Sequence, residues 1–343
     1  MDSKTSLIHY FFRLMSTDFT NIIENGTVRP ASAVTLSPFS RLAMYGEGCF
    51  DTMRAYKGGF LRPEKHLERL QKGMDFLGLE CPGELKSTAS FTLLLKNLLD
   101  ANDAFGHDVR LRIQVWADDD TPGYPPGNRQ ACFLLKGSII STISGQTGKQ
   151  SGSTKREDAI RENANRDSAI RENATRGFGT EHTPVTLVTS SYRRIPTNAL
   201  PSTVKWSNGL NYILAARQAC DHQADDTLML TQDGYVSETT IANIFWKEGE
   251  TVKTPSVDCD LLPGITRGLL ITFLEEAGFT IESGHFLPRE LHQADMVWAC
   301  NSIREWYPIK QLDGRILGCD VTFWNEITAY FERRKQEELQ YVR

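Results

Sequence analysis

The sequence lacks paired cysteine motifs. Its seven cysteines are odd in number and widely spaced, and no two of them form a CxxC pair. Disulfide frameworks and structural zinc sites are usually recognised by even-numbered or closely spaced cysteines. The cysteine pattern therefore predicts a protein of the reducing cytoplasm with no disulfide framework and no metal site.

The sequence also lacks a long apolar run and an excess of one charge. No stretch reaches the roughly 20 apolar residues that a membrane helix needs, and charged residues interrupt residues 1–15, which no small-residue cleavage site follows. The net charge is only -5, with Lys and Arg scattered among Asp and Glu. We therefore expect neither a membrane nor a nucleic acid as a partner.

Large apolar residues are scarce in one segment, residues 137–183, where Ser, Thr, Gly and charged residues dominate. A near-repeat lies inside it, since Asp158–Arg166 returns ten residues later as Ser168–Arg176. The unit is too short and too polar to stack as a solenoid. We interpret the segment as a solvated, mobile insertion, because it has little apolar surface to offset its ordering entropy.

The rest of the chain has the composition of a globular protein. Hydrophobic residues make up 40 % and charged residues 24 % of 343 positions, which is more chain than one hydrophobic core usually holds. We predict an N-terminal extension at 1–23, a small α/β domain at 24–136, the insertion at 137–183 and a large domain at 184–343.

Turn residues and periodicity predict the elements of the first domain. Asn25-Gly26 and Lys57-Gly58-Gly59 each indicate a β-hairpin. Apolar residues recur at three- or four-residue steps from Pro63 to Leu79, which is typical of an amphipathic helix. The alternating stretch Val109–Trp116 predicts a strand that pairs with Ala131–Leu135.

Strands and helices alternate in the second domain. It opens with a strand at Val185–Thr189 and closes with an amphipathic helix over Phe323–Tyr341. The two halves together predict a mixed α/β (α+β) fold.

Lys205 and Glu238 are candidate reactive groups. Lys205 lies among Val204, Trp206 and Leu210, and burial lowers the pKa of a lysine and makes its neutral amine available for Schiff-base formation. Glu238 enters an apolar strand, where a buried carboxylate needs a partner. In isolation such residues are more often solvated surface groups.

An anion site is also possible at the start of a helix. Leu261–Arg267 runs from a Pro-Gly turn into a helix with Thr266 in its first turn, and free amides at a helix start suit a phosphate. Arg69 offers a bidentate contact to the same anion. Many helices begin in this way, and a lone arginine is usually exposed.

Five short motifs occur in order along the chain and resemble the successive signatures of class IV aminotransferases. They are YGEGCFDTMR at residues 45–54, His66-x-x-Arg69, Lys205-x-x-Asn208, Glu238-x-x-x-x-Asn243 and LPGITR at residues 262–267. The resemblance spans about residues 24 to 315 except the insertion. Ordered motifs of this number rarely coincide by chance.

The resemblance implies the fold type IV architecture, with pyridoxal 5'-phosphate between a smaller α/β domain and a larger domain with a β-barrel-like core. It implies that Lys205 is the Schiff-base lysine and proton shuttle, and that Glu238 contacts the pyridine nitrogen. It also implies a homodimer. The further residues implied for the phosphate are Arg69, Ile265, Thr266 and Ser302, and those implied for the substrate are Phe50, Arg110, Arg112 and Asn301.

The substrate is open at this point. Branched-chain aminotransferases usually have a tyrosine five residues after the lysine, where this chain has Leu210, with Tyr212 two residues further. Asn301-Ser302 resembles aminodeoxychorismate lyases instead. The leading interpretation is transamination between an amino acid and a 2-keto acid. The alternatives are a lyase that forms 4-aminobenzoate and pyruvate, and a non-catalytic relative that acts as a binding protein.

The polar insertion generates a first prediction. Replacing Ser151 to Arg176 with a short Gly/Ser linker should leave cofactor binding and kcat/KM within a few-fold of the parent, because the segment carries no ligand-like spacing and little to bury. Steady-state kinetics on the deletion variant measures this. A loss of a hundredfold or more would mean that the segment closes over the substrate.

Overall fold

The computed structural model describes residues 16–125, 127–140 and 182–341. Most of the predicted extension and most of the predicted insertion lie outside these residues, including the ten-residue repeat. Within the described residues no helix is long and apolar enough to cross a membrane.

The first half of the chain forms an antiparallel sheet. Its strands run in the order β5-β4-β6-β7-β2-β3, and β1 pairs with β7. The strands are β1 (Ser16–Asp18), β2 (Asn21–Glu24), β3 (Thr27–Pro30), β4 (Gly48–Tyr56), β5 (Gly59–Leu61), β6 (Asp108–Ala117) and β7 (Ala131–Ile140). Burial alternates strictly along β6, as expected for a strand with one face on a core.

Two tight turns set the register of this sheet. Asn25 and Gly26 join β2 to β3 with φ of 46° and 79°, and Lys57 and Gly58 join β4 to β5 with φ of 47° and 85°. Positive φ at both central residues matches the right-handed twist of the strands. Both predicted hairpins are confirmed.

Among its described residues this half has three α-helices, namely α1 (Arg41–Tyr45), α2 (Pro63–Leu77) and α3 (Thr88–Asp100). Helix α2 begins with Pro63 at a position that needs no N–H donor, and it ends at Gly78 with φ of 66°. Its buried stripe includes Leu67, Leu70 and Met74, which pack with α3 on the sheet. The predicted helix is therefore confirmed.

The second half contains a closed barrel of six strands. Their order is β10-β9-β8-β15-β14-β11, and the ring closes through the pairing of β10 with β11. Strands β12, β13 and β16 extend it at the edges. The strands are β8 (Val185–Thr189), β9 (Asp226–Leu230), β10 (Val236–Thr239), β11 (Asn243–Glu248), β12 (Thr251–Pro255), β13 (Thr280–Gly284), β14 (Met296–Asn301), β15 (Glu305–Leu312) and β16 (Arg315–Ile316).

In the part of the chain that the structure describes, four α-helices accompany the barrel. They are α4 (Leu210–Asp221), α5 (Ile265–Glu276), α6 (Pro288–Leu291) and α7 (Val321–Glu338). Helices α5 and α7 pack on one side of it around the stacked indoles of Trp306 and Trp324, 4.6 Å apart. A separate cluster that includes Ile244, Trp246 and Val297 forms another core.

The chain returns to the first sheet at its C-terminal end. The predicted helix over Phe323–Tyr341 ends earlier, at Glu338, and β17 (Leu339–Tyr341) pairs antiparallel with β5. The prediction that the helix continues to Tyr341 is wrong, because the residues from Leu339 onward pair with the edge of β5, with Leu339 opposite Leu61. The first sheet thus extends from Ser16 to Ile140 and includes this C-terminal strand, whereas the predicted small domain ran from 24 to 136.

Candidate active site

Lys205 lies where the second half of the chain crosses the first sheet. Its carbonyl accepts a hydrogen bond from the Phe50 N–H at 2.8 Å, and the Ser207 N–H donates to the Gly48 carbonyl at 2.9 Å. The segment therefore pairs with the beginning of β4, along the same edge whose end pairs with β5. The amino nitrogen of Lys205 lies 5.1 Å from the centroid of the Phe50 ring.

The environment of Lys205 favours a neutral amine. Burial and the nearby charge of Arg69 lower the pKa of Lys205 to about 8, although Asp51 and Glu238 act in the opposite direction. Within the described residues no carboxylate forms an ion pair with its amino group. At neutral pH this amine is far closer to losing its proton than an ordinary lysine.

The carboxylate of Glu238 is buried and held on both oxygens. Oε1 accepts a hydrogen bond from the Tyr212 hydroxyl at 3.0 Å and lies 3.2 Å from Nε of Arg194. Oε2 accepts from the Leu262 N–H at 3.2 Å. Burial raises the pKa of Glu238, and Arg194 and Tyr212 offset part of that rise. Glu238 is therefore an interior group, as expected for a carboxylate that enters an apolar strand.

Arg194 was not identified from the sequence. Besides Glu238, its guanidinium contacts the Asp260 carbonyl and the Asn211 side chain, both at 3.1 Å. It also stacks over the Tyr212 ring at 4.5 Å. Nothing in the local sequence distinguishes Arg194 from Arg193, because its partners are 17 to 66 positions away.

Tyr212 is half-buried and contacts the site, whereas position 210, where branched-chain aminotransferases usually have a tyrosine, does not supply this contact. Leu210, five positions after the lysine, is 58 % exposed. The Tyr212 hydroxyl contacts the carboxylate of Glu238 instead. Tyr212 thus supplies an aromatic hydroxyl to this site from a position about half a helical turn after Leu210 on α4.

Arg69 is bound to a carboxylate within the first half of the chain. Its Nε lies 2.7 Å and one terminal nitrogen 3.0 Å from the two oxygens of Asp51, and Nδ1 of His66 lies 2.7 Å from Asp51. Burial opposes ionisation of Asp51, but Arg69 and His66 outweigh it and hold the pKa of Asp51 well below its usual range. Asp51 is a second site residue that sequence reasoning missed.

A small cavity lies beside this ion pair, at the start of α5. It is lined by Arg54, Tyr56, Leu61, His66, Ile265, Thr266 and Ser302. The first amides of α5 have no partner within the helix, so this helix start suits an anion. Gly264 precedes it, and a Cβ there would overlap the Asn243 side-chain oxygen. The structure therefore brings Ile265, Thr266 and Ser302 together, as predicted, with Arg54 and His66 in addition.

Arg54 connects this cavity to the C-terminal helix. It donates to the Ile303 carbonyl at 3.1 Å and pairs with Asp108, while its Nε is buried without a hydrogen-bond partner. Glu305 lies 4.0 Å from Arg54, and Lys335 of α7 contacts Glu305 at 2.7 Å. Buried charges thus link α7 to the turn that carries Ser302.

Two of the predicted substrate residues contact each other directly. The guanidinium of Arg112 stacks on the Phe50 ring at 3.6 Å from its centroid and donates to the Gln114 side chain at 2.9 Å. Burial and the like charge of Arg110 lower the pKa of Arg112. Arg112 and Lys205 therefore both lie against the Phe50 ring, so a second cation is near the candidate lysine.

Asn301 has a different local role from the one predicted. Its side-chain oxygen accepts the N–H groups of Ile303 and Arg304, both at 2.9 Å. It therefore folds the turn that presents Ser302 to the cavity. Contact between Asn301 and a substrate stays a prediction.

Comparison with known proteins agrees with this geometry. Residues 48–312 match the profile of the family described as amino-transferase class IV. The chain belongs to the class IV aminotransferases. The family predicted from the five motifs is thereby confirmed.

Individual relatives of this class IV aminotransferase have different activities in their names. It is 27 % identical over 292 residues to branched-chain-amino-acid aminotransferase-like protein 2 of Arabidopsis thaliana, covering 84 % of this chain but 45 % of that protein. It is 26 % identical to the aminodeoxychorismate lyase of Bacillus subtilis, covering 85 % of this chain and 86 % of that enzyme. The chain thus spans about half the length of the Arabidopsis relative.

Solved structures confirm the predicted fold. The branched-chain amino acid aminotransferase of Thermobaculum terrenum, determined in its PLP-form, has a TM-score of 0.72 to this chain at 20 % identity, covering 94 % of this chain and 98 % of that one. The class IV aminotransferase described here therefore has the two-part mixed α/β architecture with a barrel in its larger half.

The buried pair of Asp51 and Arg69 generates a stability prediction. Asp51→Asn should reduce the free energy of unfolding by about 3–5 kcal/mol, because it leaves the buried Arg69 guanidinium without its counter-charge. Urea denaturation of the two proteins measures the loss. Asp100→Asn is the control, since Asp100 pairs with Lys96 at the surface and should contribute less than about 1 kcal/mol. Equal losses in the two variants would contradict the prediction.

The lowered pKa of Lys205 predicts a pH-dependent cost in the cofactor-free protein. Below about pH 8 both folded and unfolded states carry the charged lysine, and its burial destabilises the fold. Between pH 8 and 10 the folded state binds fewer protons than the unfolded state, so the destabilisation by Lys205 falls as the pH rises. Lys205→Met should therefore stabilise the protein at pH 7 by on the order of 1–3 kcal/mol, with a gain that shrinks toward pH 10.

Thermal or urea unfolding between pH 7 and 10 measures this gain. Lys65→Met, at an exposed lysine beside Glu68, serves as the control and should show no such dependence on pH. A constant gain across that range would mean that the pKa of Lys205 is not lowered.

Proposed function

We propose that the chain is a pyridoxal 5'-phosphate-dependent aminotransferase that interconverts an amino acid and a 2-keto acid, with Lys205 as the lysine that carries the cofactor. The observation that supports this most directly is the amino group of Lys205. It has a pKa of about 8, lacks a carboxylate ion pair among the described residues, and lies beside Phe50 and within the electrostatic influence of Glu238. A surface lysine would have none of these properties.

The surrounding residues fit the cofactor. Glu238 offers a fixed, buried carboxylate to the pyridine nitrogen, and its orientation is set by Arg194 and Tyr212. Phosphate suits the cavity at the start of α5, where Ile265, Thr266 and Ser302 meet. When bound, the cofactor supplies an electron sink for the charge that develops at the substrate Cα.

Arg69 has a role in the proposal through its ion pair with Asp51. Its guanidinium is buried, fixed by two hydrogen bonds, and linked by Asp51 to His66 of the cavity. We propose that it contributes positive charge to the phosphate site. Arg54, which lines the cavity, joins it in that role, whereas burial lowers the pKa of His66, so His66 offers a neutral imidazole there.

The remaining roles follow from position and charge. Lys205 would accept the proton from the substrate Cα and return it, since its pKa is near neutrality. The cationic surface of Arg110 and Arg112 suits a substrate carboxylate, and the Phe50 ring offers an apolar contact next to it. The side chain and the chirality of the substrate depend on the loops around this surface.

A lyase acting on aminodeoxychorismate is the second candidate function. The observation behind it is that the match to the Bacillus subtilis lyase covers most of both chains, as does an equally similar match to a putative branched-chain-amino-acid aminotransferase of Methanocaldococcus jannaschii. The products would be 4-aminobenzoate and pyruvate. A carboxylate-rich substrate is compatible with Arg112, which stacks on Phe50, and with Arg110 two positions before it on β6.

A non-catalytic binding protein is the third candidate. Retention of a half-buried Lys205 and a buried Glu238, which are electrostatically coupled, argues against it. Absorbance of the purified protein in the region of a lysine-bound cofactor separates an enzyme from a binding protein.

We also propose a cytoplasmic homodimer. Seven free cysteines are consistent with a reducing compartment. Leu36, Phe39 and Met44 are exposed on the segment that leads into β4, with Phe39 at 68 %. Exposed apolar side chains of this kind suit the contact of a second copy.

The proposed role of Lys205 predicts the behaviour of Lys205→Ala. Turnover should be abolished, and borohydride should no longer fix the cofactor to the protein, because the lysine supplies both the covalent bond and the proton transfer. Mass spectrometry of the reduced protein measures attachment, and Lys96→Ala at the surface is the control. Full activity of Lys205→Ala would contradict the proposed mechanism.

A substrate panel separates the two enzymatic candidates. The purified protein is incubated with the cofactor and either amino donors plus 2-keto acids or aminodeoxychorismate. An aminotransferase produces a new amino acid only when a keto acceptor is present, whereas a lyase releases pyruvate and 4-aminobenzoate without one. Pyruvate release from aminodeoxychorismate at a rate above any transamination would overturn the leading proposal.

A further inference from the structure

Three metal-ligating side chains meet on the barrel surface, outside the candidate active site. Strand β12 pairs in parallel with β13, with Pro255 opposite Gly284. Because both strands end at the same edge, the residues that follow them come together there. These are Asp258, Cys259 and His285, whose ligand atoms all lie within 4.8 Å of one another.

The cluster is arranged around the cysteine. The Cys259 side chain is 1 % exposed, while the side chains of His285 and Asp258 are about half and two-thirds exposed. Nε2 of His285 lies 3.0 Å from Oδ2 of Asp258. The imidazole is also oriented by stacking on the Tyr235 ring, with centroids 5.1 Å apart and planes 27° apart.

We propose that Asp258, Cys259 and His285 form a binding site for Zn²⁺. Sulfur, imidazole nitrogen and carboxylate oxygen are the ligands that zinc takes in proteins, whereas Mg²⁺ and Ca²⁺ select oxygen alone. Three protein ligands leave one position of a tetrahedron for water. The Cys259 thiol releases its proton to solvent when the metal–sulfur bond forms.

Small side-chain movements suffice to build this site. Zinc–sulfur and zinc–nitrogen bonds of about 2.3 and 2.0 Å bring the two ligand atoms to roughly 3.5 Å from each other. The Cys259 backbone is fixed, since its N–H donates to the Ser256 carbonyl at 3.0 Å. The exposed side chains of Asp258 and His285 have room to rotate toward the sulfur.

The site lies at the beginning of a loop that reaches the candidate active site. The next residue, Asp260, accepts a hydrogen bond through its carbonyl from Arg194, and the Leu262 N–H donates to Glu238. A metal ion at Cys259 would restrain this loop at its outer end. Bound zinc should therefore slow release of the cofactor, a consequence that rests on the proposed function.

Zinc titration of the full-length protein, with and without added cofactor, against a chromophoric chelator tests the site. We expect one equivalent of Zn²⁺ to bind with defined affinity, and Cys259→Ser and His285→Gln each to weaken it by about tenfold or more. Cys319→Ser and His107→Gln are the matched controls, since both residues are exposed elsewhere. Equal affinity in the four variants, or no stoichiometric binding, would overturn the proposal.

Cobalt substitution checks the geometry independently of any enzyme activity. A Co²⁺ ion in a four-coordinate site with one thiolate should give intense visible absorption well to the red of the cofactor band, and Cys259→Ser should remove it. A weak spectrum of a six-coordinate, all-oxygen ion would contradict the proposed ligands.

Cofactor release tests the link to the active site. The half-time for loss of the cofactor should lengthen when Zn²⁺ is present and should not respond to Zn²⁺ in Cys259→Ser. An unchanged half-time would overturn the link, while the titration decides the site itself. Failure of the protein to bind the cofactor at all would count against the proposed function and leave the zinc titration intact.

Discussion

The pairing of Glu238 with Asn243 is the contact on which the rest of the larger half depends. It is the register pair between β10 and β11, and it closes the six-strand ring. The same glutamate has its carboxylate buried between Arg194, Tyr212 and the Leu262 amide. Barrel closure therefore fixes the backbone position of the acid that we propose for the pyridine nitrogen, while Arg194 and Tyr212 orient its carboxylate.

Burial of charge is the common feature of the candidate site. Asp51, Arg69 and Glu238 are each almost fully enclosed, and each is matched by an opposite charge. Lys205 is the exception, because the described residues give it no ion pair. In a low-dielectric site an unpaired amine shifts toward its neutral form. The charged groups around Lys205 are ion-paired, whereas Lys205 itself has no ion pair among the described residues. This difference is the physical basis of the proposed chemistry.

The two halves of the chain are joined at three places that bear on this site. The Lys205 segment extends the first sheet along β4, β17 pairs with β5, and Lys335 links α7 through Glu305 to Arg54. The cavity at the start of α5 is itself lined by residues of both halves. The candidate active site thus depends on packing between distant parts of the chain. The proposed zinc site depends in the same way on the pairing of β12 with β13.

The sequence by itself determined the local elements and the family. Asn25-Gly26 was sufficient for a hairpin because only residues that tolerate positive φ form that turn, and Pro63 with its apolar stripe was sufficient for α2. Lys205, Glu238 and the start of α5 were found because short motifs contain them. Only the tertiary structure decided the partners: Asp51 for Arg69, Arg194 and Tyr212 for Glu238, and a strand edge that ended α7 at Glu338. These contacts join positions far apart in the chain, and local propensity or spacing has no information about which distant groups burial will bring together.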